Sequence, residues 1–434
     1  MEHESAHFDA AGGFKPKRIL LATIGSLGDL HPCLALALEL KRRGHIATIA
    51  TTEYYRAKVE GLGIGFHAVR PDWDPTDPEM IRLCDDLKRG PEILIRKMVL
   101  PHLEDTYSDL LKAAAGMELM IAGELNFAAP LVAEKLGLRW VSATLSPTSF
   151  LSAHDPSVLV NVPWLIHLRK AGWPVYRAVL NIGRLGTRHW WNPVRQLRRE
   201  QNLRPDCDPL FRDKFSPDLA LALFSRTLAE PQPDWPKQTL QTGFVWFGES
   251  GKDVGPDRRL RDFLDSGDPP IVFTQGSTAV SNPGKFYEVS MEAAARLGRR
   301  AVLVGASSKL GMDSARILVL RYVPYSQIFT HAAVNVHQGG SGTTGEALRA
   351  GRPQLIVPYG WDQPDNAARV ERLGAGIHLP RREYSVDAAT AALERLLREP
   401  SFSERAMRVG GQIRGEDGLT SACDAIESLL RRSI

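Results

Sequence analysis

Residues 18–51 read RILLATIGSLGDLHPCLALALELKRRGHIATIAT, and their order decides the fold. RILLAT at 18–23 is a short apolar run that meets a glycine-bearing turn, GSLGD at 25–29. A helical stretch follows from Leu30 to Arg43 and closes at Gly44. IATIAT at 46–51 then reads as a second strand. Strand, glycine turn, helix, strand is the βαβ unit from which parallel sheets are built.

The same alternation continues outward through ELMIAG at 118–123 and LRWVSATL at 138–145. EPQPDWPKQ at 230–238 and ESGKDVGPD at 249–257 gather Pro, Gly and charge, as an interdomain connection does. Apolar runs then resume: PPIVFTQGS (269–277), RRAVLVGAS (299–307), RILVLRYVP (316–324), AAVNVHQGG (332–340) and RPQLIVPYG (352–360). A chain of 434 residues exceeds what one core usually serves. The pattern predicts an α/β protein with an N-terminal unit over 1–240, a second over 241–418, and a helix over 419–434.

Composition narrows the function. Apolar residues at 43% and charged residues at 24% are ordinary globular values. Lys and Arg total 54 against 50 Asp and Glu, which argues against a nucleic-acid partner. Cys33, Cys84, Cys207 and Cys423 lie far apart with no metal-ligand spacing, so a reducing cytoplasm is expected. The polar start MEHESAHFDAAGGFKPK lacks signal-peptide order, and no apolar run is long enough to span a bilayer.

In open parallel sheets, ligands bind beyond the carboxyl ends of strands, where helix N-termini direct N–H groups at anions. HQGGSGTTGE at 337–346 meets that need. Its glycines, Gly340 and Gly342 among them, admit a diphosphate closely, and the Ser341 and Thr343 hydroxyls add donors. Glu346, one turn on, suits a ribose diol, and Asp362 with Gln363 in PYGWDQPDN suits sugar hydroxyls. In GSLGDLHP, Asp29 has the position of either a helix cap or a general base, and His31 is the rival base.

Residues 322–366 resemble the donor signature of family 1 glycosyltransferases, the UDP-glycosyltransferase superfamily. The resemblance implies the GT-B fold: two doubly wound Rossmann-like domains facing a cleft, acceptor on the first and nucleotide sugar on the second, with the helix over 419–434 returning to the first. It implies that Tyr322, in Tyr322-Val323-Pro324, stacks on the base, and that Ser277 of the GS turn faces the phosphates. The family's pyrophosphate-binding His aligns with Gln338, and His337 precedes it, so either residue is open for that contact. Asp29 matches the general base of the sterol and glycopeptide branch. LSPTSFLSAH (145–154), PQPDWP (231–236), TGF (242–244) and VFTQGST (272–278) resemble bacterial rhamnolipid-type rhamnosyltransferases.

The implied reaction is inverting, metal-independent transfer of a hexose from a UDP-sugar, UDP-glucose by preference because of Glu346, to a hydroxyl of a hydrophobic acceptor, with no resident cofactor. The alternatives are a dTDP-rhamnose-dependent rhamnosyltransferase, an epimerase of the same fold, and a non-catalytic nucleotide-sugar-binding protein. Asp72-Trp73-Asp74 and Asp206-Cys207-Asp208 both spell the DxD of manganese-dependent transferases, but they sit in Pro-flanked loops and read as solvated turns. GxGxxG is absent after the first strand, which argues against a nicotinamide dehydrogenase. Trp and Arg interleave over 164–199, either as core and solvated face or as a lip resting on an anionic membrane.

Overall fold

The computed structural model describes residues 15–74, 77, 83, 86, 89–248, 258–276, 284–306 and 314–432. The first sheet comprises β1 (Arg18–Ala22), β2 (Ile46–Thr51), β3 (Gly65–Ala68), β4 (Leu119–Gly123), β5 (Trp140–Thr144), β6 (Leu219–Ala222) and β7 (Thr239–Gln241). The second comprises β8 (Ile271–Thr274), β9 (Ala301–Val304), β10 (Ile317–Leu320), β11 (Val334–His337), β12 (Gln354–Ile356) and β13 (Gly376–His378). Their orders are β3-β2-β1-β4-β5-β6-β7 and β10-β9-β8-β11-β12-β13, and every pairing is parallel.

Strand residues alternate between two buried faces, as sheets covered by helices on both sides require. Ile19 and Leu21 of β1 join one cluster while Leu20 and Ala22 join the other. In each sheet the order reverses once, between β1 and β4 and between β8 and β11. The two reversals are the crevices where a ligand can enter between diverging connections.

The two sheets share packing. Phe224 and Trp235 pack in one cluster with Phe244, Leu348, Val370 and Ile413. The C-terminal helix, Gly418–Arg431, lays Ala422, Cys423, Ile426, Leu429 and Leu430 on the first sheet's core. Polar ties hold it there: Arg43 Nη1 lies 2.5 Å from Asp424 Oδ1 and 3.2 Å from Glu427 Oε2, and His45 Nε2 is 3.2 Å from Glu427 Oε1.

One boundary differs from the sequence reading. EPQPDWPKQ at 230–238 connects β6 to β7 inside the first sheet rather than joining the two units. Its Trp235 is buried against Phe150, with ring centroids 4.0 Å apart, so a Pro-rich composition here marks a packed loop. The second connection, 249–257, lies outside the described residues.

Candidate active site

The turn after β1 bends at Gly25, with φ +137°, and delivers Ser26 as the N-cap of the helix Leu27–Arg42. The helix therefore starts three residues before Leu30, and Asp29 is its third residue rather than its cap. Gly28 N donates to Ser26 Oγ at 3.1 Å, while Ser26 N and Ser26 Oγ donate to Asp29 Oδ2 at 2.8 and 3.3 Å. This reciprocal cap satisfies the helix's own first donors and sets the carboxylate's orientation. A Cβ on Gly25 would lie 2.3 Å from Asp29 Oδ2, so glycine is needed for space as well as for φ.

Burial lifts the Asp29 carboxyl to about 6 against the Ser26 hydrogen bonds, and the Glu124 charge adds to the rise. Glu124 directly follows β4, on the other side of the first sheet's reversal. His31 differs. Its ring stacks on Phe247 at 4.8 Å, and Nε2 is buried without a hydrogen-bond partner among the described residues. Burial, with Lys58 second, lowers it to about 4. It is a neutral imidazole packed on the chain leaving the first sheet.

Across the cleft, His337 ends β11 fully buried. Its Nε2 donates to Gln354 Oε1 at 2.9 Å and its Nδ1 accepts from Gly339 N at 3.0 Å. Both ring nitrogens are committed within the protein, so the placement of His337 corrects its expected availability to a phosphate. Gln338 sits in the turn. Its Nε2 donates to Thr343 Oγ1 at 3.4 Å, and its Oε1 is buried with no partner among the described residues. Gly276, after β8 at φ +68°, makes room for it, because a Cβ there would be 2.0 Å from Gln338 Nε2.

The helix Ser341–Ala350 begins at Gly340, which offers no side-chain cap. The Ser341 hydroxyl donates across the cleft to the carbonyl of Leu145, just past β5. Gly342 is exposed and Thr343 buried. Glu346 is partly buried 3.7 Å from Arg349 Nε, and burial raises its carboxyl above the usual range. Tyr322 is 61% exposed, whereas Val323 is in the core. Ser277 lies outside the described residues.

Asp362 follows Trp361, whose φ of +60° is unusual for a bulky side chain. Asp362 Oδ2 accepts from Asn366 Nδ2 at 2.8 Å, and the same amide donates to Gly339 O at 2.9 Å. Burial lifts Asp362 to about 7 against that bond, and Asp29 and Glu124 add to the rise. The Asp29 and Glu124 carboxylates of the first sheet are thus near enough to Asp362 of the second to act on its charge. Gln363 Oε1 accepts from Tyr359 N (2.7 Å) and Gly360 N (3.2 Å), so it holds its own loop and only its amide NH2 is left for a ligand.

Sequence reading missed the neighbours that close the cleft. Thr148 Oγ1 and Val158 N donate to Asp365 at 3.0 and 2.9 Å, and Arg369 bridges Asp365 and Asp155. Only the position of Glu124, a polar residue directly after a central strand, carried a sequence signal. Both DxD motifs are structural: Asp72 Oδ1 accepts from Thr52 Oγ1 (2.9 Å) and Glu53 N (3.1 Å), and Asp206 pairs with Arg212 at 3.0 Å.

Residues 19–152 match the glycosyltransferase family 28 N-terminal domain, and residues 291–418 match the erythromycin biosynthesis protein CIII-like C-terminal domain. O-mycaminosyltylonolide 6-deoxyallosyltransferase of Streptomyces fradiae is 30% identical over 425 residues, 94% of this chain and 97% of that one. The chain belongs to this family of GT-B glycosyltransferases. Sterol 3-beta-glucosyltransferase of Neurospora crassa is 28% identical over 95% of the chain, which spans 27% of that longer protein. The calicheamicin glycosyltransferase superposes with TM-score 0.69 at 19% identity, covering 96% of this chain and 98% of that one. VinC in complex with DTDP superposes with TM-score 0.68 at 21% identity, covering 96% and 100%. The glycosyltransferase is thus an enzyme that moves a sugar from a nucleotide sugar to a small-molecule acceptor. Among its described residues no helix is long and apolar enough to cross a membrane.

Proposed function

We propose that this glycosyltransferase transfers a hexose, with inversion and without a metal, from a UDP-sugar to a hydroxyl of a hydrophobic acceptor, with Asp29 as general base. The observation that carries the reading is the burial of Asp29, on the first sheet, and Asp362, on the second, within reach of one another's field. Burial raises both carboxyls, the Glu124 charge adds to the rise of Asp29, and the Asp29 and Glu124 charges add to that of Asp362. A carboxylate with a pKa near 6 takes a proton from an attacking hydroxyl better than an ordinary one near 4.

The acceptor oxygen forms the bond to the anomeric carbon as its proton passes to Asp29. The bond from that carbon to the diphosphate oxygen breaks, and its electron pair leaves with the diphosphate. The uncapped N-terminus at Gly340, the Thr343 hydroxyl and the Gln338 amide receive that charge. Of the adjacent pair, Gln338 makes the phosphate contact, since His337 has no free nitrogen. Asp362 and the Gln363 amide NH2 hold sugar hydroxyls, Tyr322 stacks on the base, and the Glu346 carboxylate takes the ribose diol, which favours uridine.

A second reading is a deoxysugar donor on thymidine diphosphate. It is supported by the 6-deoxyallosyltransferase relative and by the likeness to a spinosyn rhamnosyltransferase complexed with thymidine diphosphate, TM-score 0.64. Nucleoside diphosphate release from UDP- and dTDP-sugars, with mixed phenolic, sterol and hydroxy-fatty-acid acceptors in EDTA, tests both readings. Acceptor-dependent release from UDP-sugars that collapses in Asp29→Ala is expected. Release only from dTDP-sugars selects the second reading, and release without acceptor, or only with added divalent metal, overturns the first.

A further inference from the structure

We infer that the helix Trp173–Thr187 and the segment before it form a docking surface for an anionic lipid bilayer. The helix has two apolar faces, and the fold uses one. Tyr176 is buried, with its hydroxyl 3.5 Å from Ser157 O, and Leu180 and Val179 are partly covered. Val175, Ala178, Ile182 and Leu185 are all exposed, Ile182 at 68% and Leu185 at 69%. At helical spacing these four fall within an arc of about 80°, so they make a continuous stripe facing solvent. Trp164, 60% exposed, and Trp173, 46% exposed and stacked on His154 at 5.0 Å, lie in the same stretch of chain.

Charge selects the occupant. From Pro156 to Arg199 the chain holds no Asp or Glu, and it holds Arg169, Lys170, Arg177, Arg184, Arg188, Arg195, Arg198 and Arg199. Arg198 is buried on Glu134 and Arg184 pairs with Asp208. Arg169, Lys170, Arg177 and Arg188 have no acidic partner among the described residues and are exposed. A symmetric contact with a second copy would set this basic face against itself, which like charges oppose. A surface of anionic headgroups meets both features: the apolar side chains of the stripe enter the interface while the cations meet phosphates.

The surface is tied to the cleft. Ser157, under Tyr176, and Asp155 belong to the segment that reaches across to Arg369, and Leu145 of the same stretch takes the Ser341 hydroxyl. Docking here would hold the acceptor-binding half at a bilayer without any residue of the donor turns touching it.

The test is co-sedimentation of the full chain with vesicles of equimolar phosphatidylglycerol and phosphatidylcholine, and with phosphatidylcholine alone, at low salt. Binding to the anionic vesicles is expected, reduced about tenfold or more without phosphatidylglycerol. Comparable losses are expected in Ile182→Glu with Leu185→Glu and in Arg177→Glu with Arg188→Glu, both with unchanged circular dichroism. These side chains are exposed, so the variants should fold. No binding by the parent, or binding unchanged in both variants, overturns the inference. So does sedimentation equilibrium showing a parent dimer that Ile182→Glu dissociates, because a second copy would then cover the stripe.

Discussion

The turn at 25–29 and the turn at 337–343 both border the reversal of strand order in their sheets, on opposite flanks of it, and treat the helix N-terminus oppositely. Each leaves a strand at the reversal of strand order and opens a helix. In the first, Ser26 and Asp29 close the helix N-terminus with the protein's own carboxylate. In the second, Gly340 offers no side-chain cap, so the helix's first N–H groups have no carboxylate of the protein's own. One turn carries its own anion, suited to take a proton, and the other leaves room for a foreign one. An N-terminus with a built-in carboxylate repels a diphosphate, so base and donor site separate onto different sheets.

The largest effect should come from removing the first turn's charge. Asp29→Asn is expected to lower kcat by roughly 10²–10⁴-fold while nucleoside diphosphate affinity by calorimetry stays within about twofold. A parallel loss of affinity would show that the two turns do not divide the work. Writing the first turn's solution into the second, as Gly340→Asp, should weaken nucleoside diphosphate binding about tenfold or more, both by its charge and because its Cβ would lie 2.9 Å from Gln338 Nε2 and displace that amide. Undiminished binding would remove the N-terminus from the donor site.

Asp362→Asn should stabilise the protein. The folded carboxyl, at about 7, lies above its ordinary value, so its contribution is fully present below about pH 4 and is lost as pH rises through 7. Asparagine escapes that loss. Urea unfolding should show a gain on the order of 1–3 kcal/mol at pH 8 and none at pH 4. The smallest effect is on the pH profile. The acid limb of kcat/KM should rise through about 6 as Asp29 ionises, broadened by its coupling to Asp362. Ser26→Ala removes a hydrogen bond that favours the ionised form, so the limb should move to higher pH.

Much of this was legible locally. Glycines at 25 and 276 and the run to Glu346 announce strand-to-helix turns because turn chemistry acts within a few residues, whereas the cap falls to Ser26 and not to Asp29, the residue the sequence pointed to. The division between His337 and Gln338 was not legible. It depends on Gln354, on the neighbouring strand, which takes the His337 ring away from the turn. Glu124, Asp365 and Arg369 were missed for the same reason, their partners being distant in the chain. Strands β7 and β13, three residues each, carry no apolar run like the one that marks the equally short β12.

The sequence by itself determined the α/β class, the two doubly wound units and the two turns, since strand periodicity, glycine and helix capping are short-range properties of the chain. Only the tertiary structure decided which groups meet. Desolvation and charge coupling, which move Asp29 and Asp362 toward neutrality, depend on burial and through-space distance, and these exist only once both sheets close on one cleft.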